Sequence, residues 1–528
     1  QISRVLARLN RQFGLILRSN LDNVNGTNLQ TIAIDLLALH WQGRRSRHPK
    51  EPLNRALYEV LRSAVLDASL TASARLPASR EVSSALGLSR NTVVHAYDRL
   101  IAEGYFQSLT GSGTFVSDVL PDLKLEVHQG EVPTQSQDLA GSPAQLSSRG
   151  HRLVQTAQAS VSHWGAFVPG VPDVSSFPHL KFNQLLNRYR KDPPPQWRSY
   201  TSGGGLLQLR EALCEHLRQT RSVQCEPDQV VITEGAHQGM DLVSRLMSDA
   251  GDLCWVEEPG YWGLRSLLQI NGLRLRGMPV DAEGLNFEPT DWKKPPRLIF
   301  VTPSHQYPLG CVMTVRRRFE LMEQAERHGS WIVEDDYDSE FRYAGHPIPS
   351  LQGLVPRSRV IYAGTFSKTA YPALRLAYLV LPKQLAESFR LAYPQLYRQG
   401  QWTTQAALAE FIIQGHFAGH IRRMRMEYAR RRQMLHSLIA KRMGQEVIHP
   451  YDSTAGLHLV MALPGQVSDQ QVLQLAADRG VVVRALSDYY QRRDGPQGLL
   501  MGFACVPRES MVSAFEHLMD AIQQAKMP

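Results

Sequence analysis

From about Trp164 to the C-terminus, short apolar runs alternate with longer stretches of helical period. The runs include Val230-Val231-Ile232, Leu298-Ile299-Phe300-Val301, Trp331-Ile332-Val333 and Val360-Ile361-Tyr362. Buried strands alternating with helices argue for an α/β domain with a mostly parallel sheet. No internal repeat accompanies the alternation.

The rest of the chain has a different texture. Residues 51–117 are helix-patterned and end in a glycine hairpin, and residues 121–160 are rich in Gln, Ser, Pro, Gly and Ala without sustained periodicity, the composition of a linker. The expected plan is a basic extension over 1–50, a small domain over 51–118, a linker over 119–160 and a large domain over 161–528. A length of 528 residues leaves room for these parts, and 43% hydrophobic with 20% charged residues excludes wholesale disorder. Cys214, Cys225, Cys254, Cys311 and Cys505 are far apart with no C-x-x-C pair, which excludes a disulfide scaffold or zinc ribbon and suits a reducing cytosol. No metal is expected. No run approaches the length of a membrane span, so a cytoplasmic protein is expected. Residues 1–50 carry +6 of the net charge of +9; a nucleic-acid arm, a targeting peptide and a solvated segment all remain open for them.

In the small domain, Leu53, Leu57, Val60, Leu61, Ala64 and Val65 form one helical stripe. Pro77 and Ser79 open a second helix, with Ser79 as N-cap and Gly87 as its stop. Ser89 caps a third helix carrying Val93, Val94, Tyr97, Leu100 and Ile101, ended by Gly104. Two helices joined across Gly87-Leu88 make a helix-turn-helix, and the hairpin around Gly111-Ser112-Gly113 completes a winged helix. The first turn of the third helix, Ser89-Arg90-Asn91-Thr92, then faces base edges. Arg90 has the fork that suits guanine, and Asn91 can read adenine or bond backbone. Arg80 and Arg75 are phosphate candidates. Six Arg are balanced by six acids over 51–117, so the domain is not basic overall, and helix-turn-helix patterns also occur in folds that do not bind DNA.

Leu76-Pro77-Ala78-Ser79-Arg80-Glu81, Gly87 to Val94, Ala102-Glu103-Gly104-Tyr105 and Gly111 to Val116 resemble, in order, the GntR-family winged helix. The resemblance implies double-stranded DNA as partner, contacted through Arg80, Ser89, Arg90, Asn91, Thr92, Gly113 and, more loosely, Arg75.

In the large domain, Lys368 follows the strand Val360-Ile361-Tyr362 within Gly364-Thr365-Phe366-Ser367-Lys368. A lysine there stands at the rim where α/β sheets bind ligands, and an amine of lowered pKa forms Schiff bases. Alone, such a lysine is usually just solvated; its company distinguishes it. Arg375 can hold phosphate bidentately and Thr365 adds a hydroxyl. Trp331-Ile332-Val333 ends in Glu334-Asp335-Asp336, and an acid facing a pyridine nitrogen keeps it protonated. Such acids also cap helices, and Arg375 could pair with one of them. Thr233-Glu234-Gly235-Ala236 is a glycine turn at a helix N-terminus, a phosphate seat. Tyr261 could stack on a pyridine ring or fill the core.

The order Tyr200, Gly205, Leu209-Arg210-Glu211-Ala212, Gly235-Ala236, Glu258-Pro259-Gly260-Tyr261, Thr302 to Gly310, Glu334 to Phe341 and Ser367-Lys368 to Arg375 is similar to fold-type I aminotransferases. Thr302-Pro303-Ser304-His305-Gln306 and Glu334-Asp335-Asp336-Tyr337-Asp338-Ser339-Glu340-Phe341, behind a GntR-type domain, resemble the MocR/GabR regulators specifically. The resemblance implies pyridoxal 5'-phosphate, with Lys368 carrying the internal aldimine, Asp335 at the ring nitrogen, Tyr337 at the phenolic oxygen and Tyr261 stacked on the ring. It places Gly235, Ala236, Thr365 and Arg375 at the phosphate, with the partner subunit's Tyr200 reaching it in a head-to-tail homodimer. Tyr307-Pro308-Leu309-Gly310 stands where aminotransferases carry Asn-Pro-Thr-Gly. Leu500 occupies the place of their carboxylate-binding arginine, for which Arg484 is the substitute, and Glu234 replaces a small hydroxyl residue.

Three functions follow as expectations. The first is a regulator sensing pyridoxal phosphate, or an amine or amino-acid effector condensing with it, with weak or no transaminase activity. The second is a competent class I/II aminotransferase with an appended DNA-binding domain. The third is a DNA-binding scaffold that has lost its cofactor. The departures favour the first over the second, and the complete phosphate set disfavours the third.

Overall fold

The computed structural model describes residues 26–118, 146–156, 164–199, 203–345, 348–355, 357–398, 400–465, 467–491 and 495–526. Two compact units divide the chain, Gln1–Pro143 and Ala144–Pro528.

The first unit holds α1 (Gly26–Arg47), α2 (Leu53–Leu66), α3 (Ser79–Leu86), α4 (Arg90–Ala102) and the antiparallel hairpin β1 (Phe106–Leu109) and β2 (Gly113–Val116). Leu57, Val60, Leu61, Ala64 and Val65 of α2 meet Val93, Ala96, Tyr97 and Leu100 of α4 in one core. Leu53 is exposed, because the first helical residue sits at the end of the stripe. Gly87 ends α3 in the left-handed conformation at φ 63°, where a Cβ would be strained. The hydroxyl of Ser89 then accepts the Thr92 N–H at 3.2 Å and starts α4.

Three local expectations need correction. Ala78, not Ser79, is the cap position of α3: Ser79 is the first helical residue, and the Glu81 carboxylate reaches back to accept the Ala78 N–H at 2.8 Å. The extension over 1–50 is not wholly separate from the small domain. Leu37 and Trp41, four residues apart on one face of α1, enter the same core, and Arg44 pairs with Glu51 at 2.9 Å. The basic composition around them hid this short apolar stripe. Finally, Ser148–Thr156 within the expected linker is a helix, α5, lying against the helix Trp262–Ile270. Its partner is remote in sequence, so no local periodicity announces it.

The second unit is built on β3 (Val230–Thr233), β4 (Leu253–Glu258), β5 (Arg274–Asp281), β6 (Gly284–Leu285), β7 (Leu298–Val301), β8 (Trp331–Asp336), β9 (Val360–Thr365) and β10 (Ala377–Val380). They form one sheet in the order β3-β10-β9-β8-β7-β4-β5-β6. The stretch from β9 to β5 is parallel; β10 runs against both β3 and β9, and β6 against β5. All four apolar runs are strands of this mixed, mostly parallel sheet. Alternate strand residues enter different cores, as the two-residue period requires. Val231 and Ile361 meet the helix Ala236–Met247, while Ile232 and Tyr362 meet Leu207–Arg221 and Trp402–Ile413.

A second sheet, β11 (His458–Ala462), β12 (Arg484–Ala485) and β13 (Gly498–Gly502), runs antiparallel in the order β11-β13-β12. With the helices His416–Met443, Asp469–Ala477 and Arg508–Ala525 it encloses its own core. Among the described residues no helix is long and apolar enough to cross a membrane.

Candidate cofactor site and nucleic-acid interface

Strand pairing brings the separated motifs to one rim of the large sheet. Asp335 pairs with Ala363 and Asp336 with Gly364 across β8 and β9, while Ala377 of β10 pairs with both Thr233 and Thr365. The turn after β3, the acids ending β8 and the lysine after β9 therefore share the C-terminal ends of their strands, where open α/β sheets place ligands. Lys368 is partly buried, and its Nζ donates to the Gly170 carbonyl at 2.6 Å. Burial pulls its pKa below the ordinary lysine value, with Asp338 and Asp335 pulling back. An amine held in this way has the character that imine formation needs. Gly170 was not legible as a site residue, because only folding carries its loop to Lys368.

The three acids ending β8 divide by side. Glu334 is fully buried and accepts the Leu351 N–H at 2.9 Å. Asp336 pairs with the buried Arg221 at 2.6 Å and accepts the Tyr362 hydroxyl at 2.7 Å. Both are structural, as acids after strands often are. The side chain of Asp335, on the opposite side of the strand, is claimed by none of these partners. Burial and the neighbouring Asp336 push its carboxyl up to about 7, against the pull of Lys368.

The phosphate candidates converge on the start of the helix Ala236–Met247. Gly235 stands before it at φ 97°, and a Cβ there would lie 3.1 Å from the Arg375 guanidinium. The missing side chain lets that guanidinium lie over the helix N-terminus, where the first amides, Ala236 included, have no carbonyl one turn back. Arg375 is exposed, and its Nη2 donates to the Glu234 carbonyl at 2.8 Å. Thr365 accepts the Ser367 N–H at 3.2 Å, with the two hydroxyls 3.1 Å apart. Ser367 belongs to this group by position and was missed as a candidate.

Tyrosines line the adjoining wall. The ring of Tyr307 meets those of Tyr261, Tyr337 and Tyr489 edge-on at 6.0, 5.7 and 5.3 Å. The hydroxyls of Tyr307 and Tyr489 are 3.0 Å apart. Tyr261 is half-buried, its hydroxyl 3.2 Å from Nε2 of His237 in the first turn of Ala236–Met247. Tyr337 is held by His305, its hydroxyl 3.0 Å from Nδ1. Tyr307, standing where an asparagine was expected, is thus the centre of the wall. Arg484 is the cross-strand partner of Leu500, which is fully buried. Arg484 is half-buried; burial lowers its pKa while Tyr489 and Tyr307 raise it, so a cation stands beside the position that Leu500 leaves without one. Tyr200 lies outside the described residues.

These groups fit pyridoxal phosphate one by one: an amine for the aldehyde, a carboxyl for the ring nitrogen, a hydroxyl for the phenolic oxygen and a cationic, glycine-opened seat for the phosphate. The Gly235–Arg375 approach supports the fit most directly, since a side chain at Gly235 would press on the guanidinium from a backbone conformation that favours glycine.

In the first unit, Arg75, Arg80, Ser89, Arg90, Asn91 and Gly113 are exposed and Thr92 half-buried. Nε of Arg90 reaches the Ser79 hydroxyl at 3.5 Å, bringing the first turns of α3 and α4 together. Arg75 bridges to Phe115 of β2, and a Cβ on Gly113 would lie 3.3 Å from its Nε. The guanidinium therefore lies along the wing.

The comparisons agree with both halves. Residues 53–116 match the model of the bacterial regulatory proteins of the gntR family, and residues 181–518 match aminotransferase class I and II. The chain is 39% identical over 471 residues to the probable rhizopine catabolism regulatory protein MocR of Rhizobium meliloti, covering 89% of this chain and 94% of that protein. It is 32% identical to the pyridoxine biosynthesis transcriptional regulator PdxR of Corynebacterium glutamicum, covering 90% of this chain and 97% of that one. The fold is similar to the kynurenine aminotransferase of Pyrococcus horikoshii, with TM-score 0.63 and 23% identity over 76% of this chain and all of that one (100%). The chain accordingly belongs to the MocR-type helix-turn-helix transcriptional regulators, in which a GntR-family DNA-binding domain is fused to an aminotransferase class I/II domain.

Proposed function

We propose that this regulator binds pyridoxal 5'-phosphate at Lys368 and switches its DNA binding when an amine or amino-acid effector competes with that lysine for the cofactor. The observation that carries the reading is Lys368 itself, a partly buried amine at the same rim as Asp335 and the glycine-opened seat of Arg375. When bound, the cofactor supplies an aldehyde carbon that exchanges amines and a ring that withdraws electrons. Asp335 holds a proton at the ring nitrogen, Tyr337 donates to the phenolic oxygen and Tyr261 covers a ring face. Gly235, Ala236, Thr365 and Arg375 seat the phosphate, joined by the partner subunit's Tyr200 in a head-to-tail homodimer. Arg484 takes the effector carboxylate. Arg80, Ser89, Arg90, Asn91, Thr92, Gly113 and Arg75 contact the operator, with Arg90 and Asn91 at base edges. Releasing Lys368 removes its covalent tie to the cofactor, and DNA binding shifts if the tied and released states differ by about 1–3 kcal/mol in affinity for a domain arrangement.

The test is a titration of amines and amino acids into the purified chain, read by visible absorption and operator binding together. A band that shifts and persists with one ligand, alongside changed operator affinity, is the expected result. Lys368→Ala should keep operator affinity and lose the response; a variant that still switches with ligand would sink the mechanism. One observation favours a second reading, a competent aminotransferase: Arg484 stands beside Leu500 and supplies the cation that Leu500 lacks. Stoichiometric release of a keto acid from an added amino acid would establish that reading.

A further inference from the structure

The Tyr337 hydroxyl, proposed above to meet the cofactor's phenolic oxygen, is itself held by a buried histidine. Nδ1 of His305 lies 3.0 Å from the Tyr337 hydroxyl and 3.1 Å from Oδ2 of Asp338. His305 and Asp338 are both at least 98% buried, at 2% and 1% exposure. Nε2 of His305 has no partner among the described residues. The backbone is shaped around this ring: Gly456, at φ 75°, would put a Cβ only 1.9 Å from its Cε1, and a Cβ on Gly310 would lie 3.3 Å from Nε2.

These contacts determine where the imidazole proton sits. A carboxylate accepts and does not donate. Were Nδ1 bare, its lone pair would face the Asp338 oxygen with no proton between them, while the N–H on Nε2 pointed into a buried space without an acceptor. With the proton on Nδ1, the N–H is shared between Asp338 and the Tyr337 oxygen, and only the bare Nε2 goes unmatched. The cost of an unpaired buried donor favours this tautomer. Asp452, whose charge also acts on His305, is itself paired with Arg432 and gives Nε2 no hydrogen bond. His458, 5.0 Å from His305 between ring centres, donates from Nε2 to the Pro308 carbonyl at 3.0 Å and is kept neutral by burial. Tyr307 meets Tyr337 only through ring edges, and Asp335, Glu257 and Lys368 act on this cluster through their charge. His305, Asp338 and His458 also have metal-ligand atoms within 4.8 Å of one another; the hydrogen bonds to Tyr337 and Pro308 occupy one nitrogen of each ring, and the other two, Nε2 of His305 and Nδ1 of His458, have no hydrogen-bond partner among the described residues.

We infer that Asp338 and His305 are positioning residues for the cofactor: they present an N–H to the back of the Tyr337 oxygen, so that Tyr337 must direct its own single proton toward the pocket. A neutral tyrosine with no such donor behind it can turn its proton either way. With Nδ1–H in place, the only direction left for donation is the cofactor's phenolic oxygen. This inference rests on the proposed pyridoxal phosphate site.

The test is a pH titration of the visible band of the full chain loaded with pyridoxal phosphate. Tyr337→Phe is expected to raise the midpoint, with a change of about tenfold in the ionisation constant, the effect of one lost hydrogen bond to a charged group. His305→Leu, which loses the N–H, should move it in the same direction, whereas His305→Asn, whose amide replaces Nδ1–H, should leave it near wild type. The His305→Leu, Tyr337→Phe double variant should titrate like Tyr337→Phe alone, since both act through one hydroxyl. Asp338 is left unchanged in the test, because its charge also acts on the Lys368 amine directly. A full additional shift from His305→Leu on the Tyr337→Phe background, or equal behaviour of the leucine and asparagine variants, overturns the inference. A wild-type chain that shows no visible band with the cofactor overturns the site reading along with it.

Discussion

At the scale of single residues, the proposed phosphate seat turns on one missing side chain, that of Gly235. Gly235→Ala would bring a Cβ 3.1 Å from the Arg375 guanidinium on a backbone at φ 97°, a conformation costing a side chain about 1–3 kcal/mol. The expected outcome is a folded chain whose affinity for pyridoxal phosphate falls tenfold or more, measured by titrating the visible band. Arg90 carries the corresponding weight on the DNA side. Arg90→Ala should weaken specific operator binding by about 1–3 kcal/mol if it reads a base. An equal loss on every sequence, with a smaller salt slope, would make it a phosphate contact instead. Lys368, Arg375, Ser89 and Arg90 stood out as candidates because each sits in a short motif whose chemistry is local. Ser367 was not singled out, since its hydroxyl gains meaning only from the 3.1 Å approach to Thr365.

At the scale of elements, the recognition helix depends on how it begins. The Ser89 hydroxyl accepts the Thr92 N–H at 3.2 Å, and removing such a cap costs about 1 kcal/mol. Ser89→Ala should therefore fray the turn that holds Arg90 and Asn91. Operator affinity should fall although both side chains remain, and a matching loss of thermal stability would locate the cause in the helix. The strands were plain in the sequence because each apolar run is its own signal, and the alternation of neighbours into different cores follows from the period of two. The acids ending β8 were plain as a group but not as individuals. Which one faces the rim depends on Arg221 and Leu351, which claim Asp336 and Glu334. Helix α1 was hidden for a related reason: Leu37 and Trp41 are a stripe of two, recognisable as core only once α2 is beside them.

At the scale of the whole molecule, several carboxyls buried around the large sheet make stability depend on pH. Burial and the neighbouring Asp336 push Glu334 up to about 7 from an ordinary 4.5. Between those values the folded chain keeps a proton that the unfolded chain has released. The contribution of Glu334 is therefore fully present below about pH 4.5 and is lost as pH rises through about 7. Glu334→Gln keeps an acceptor for the Leu351 N–H and removes the ionisation. It should flatten the fall in melting temperature between pH 5 and 8 and raise the value at pH 8 (conditions chosen to bracket the shift). An unchanged slope would assign the dependence to other groups. If Asp335, also pushed up to about 7, meets the ring nitrogen as proposed, cofactor binding should flatten the slope further.

What the sequence by itself determined is the kind of protein: a winged helix ahead of an α/β domain, the apolar strands and the contiguous motifs that hold the candidate site residues. These are legible because helix caps, strand periods and turn glycines are set by neighbours along the chain. Only the tertiary structure decided that Gly170 receives the Lys368 amine, that Arg484 stands beside Leu500, that His305 backs Tyr337 and that Leu37 and Trp41 close the small core. Each joins segments far apart in the chain, and a pattern of residue types contains no distance between such segments until strand pairing and packing supply one.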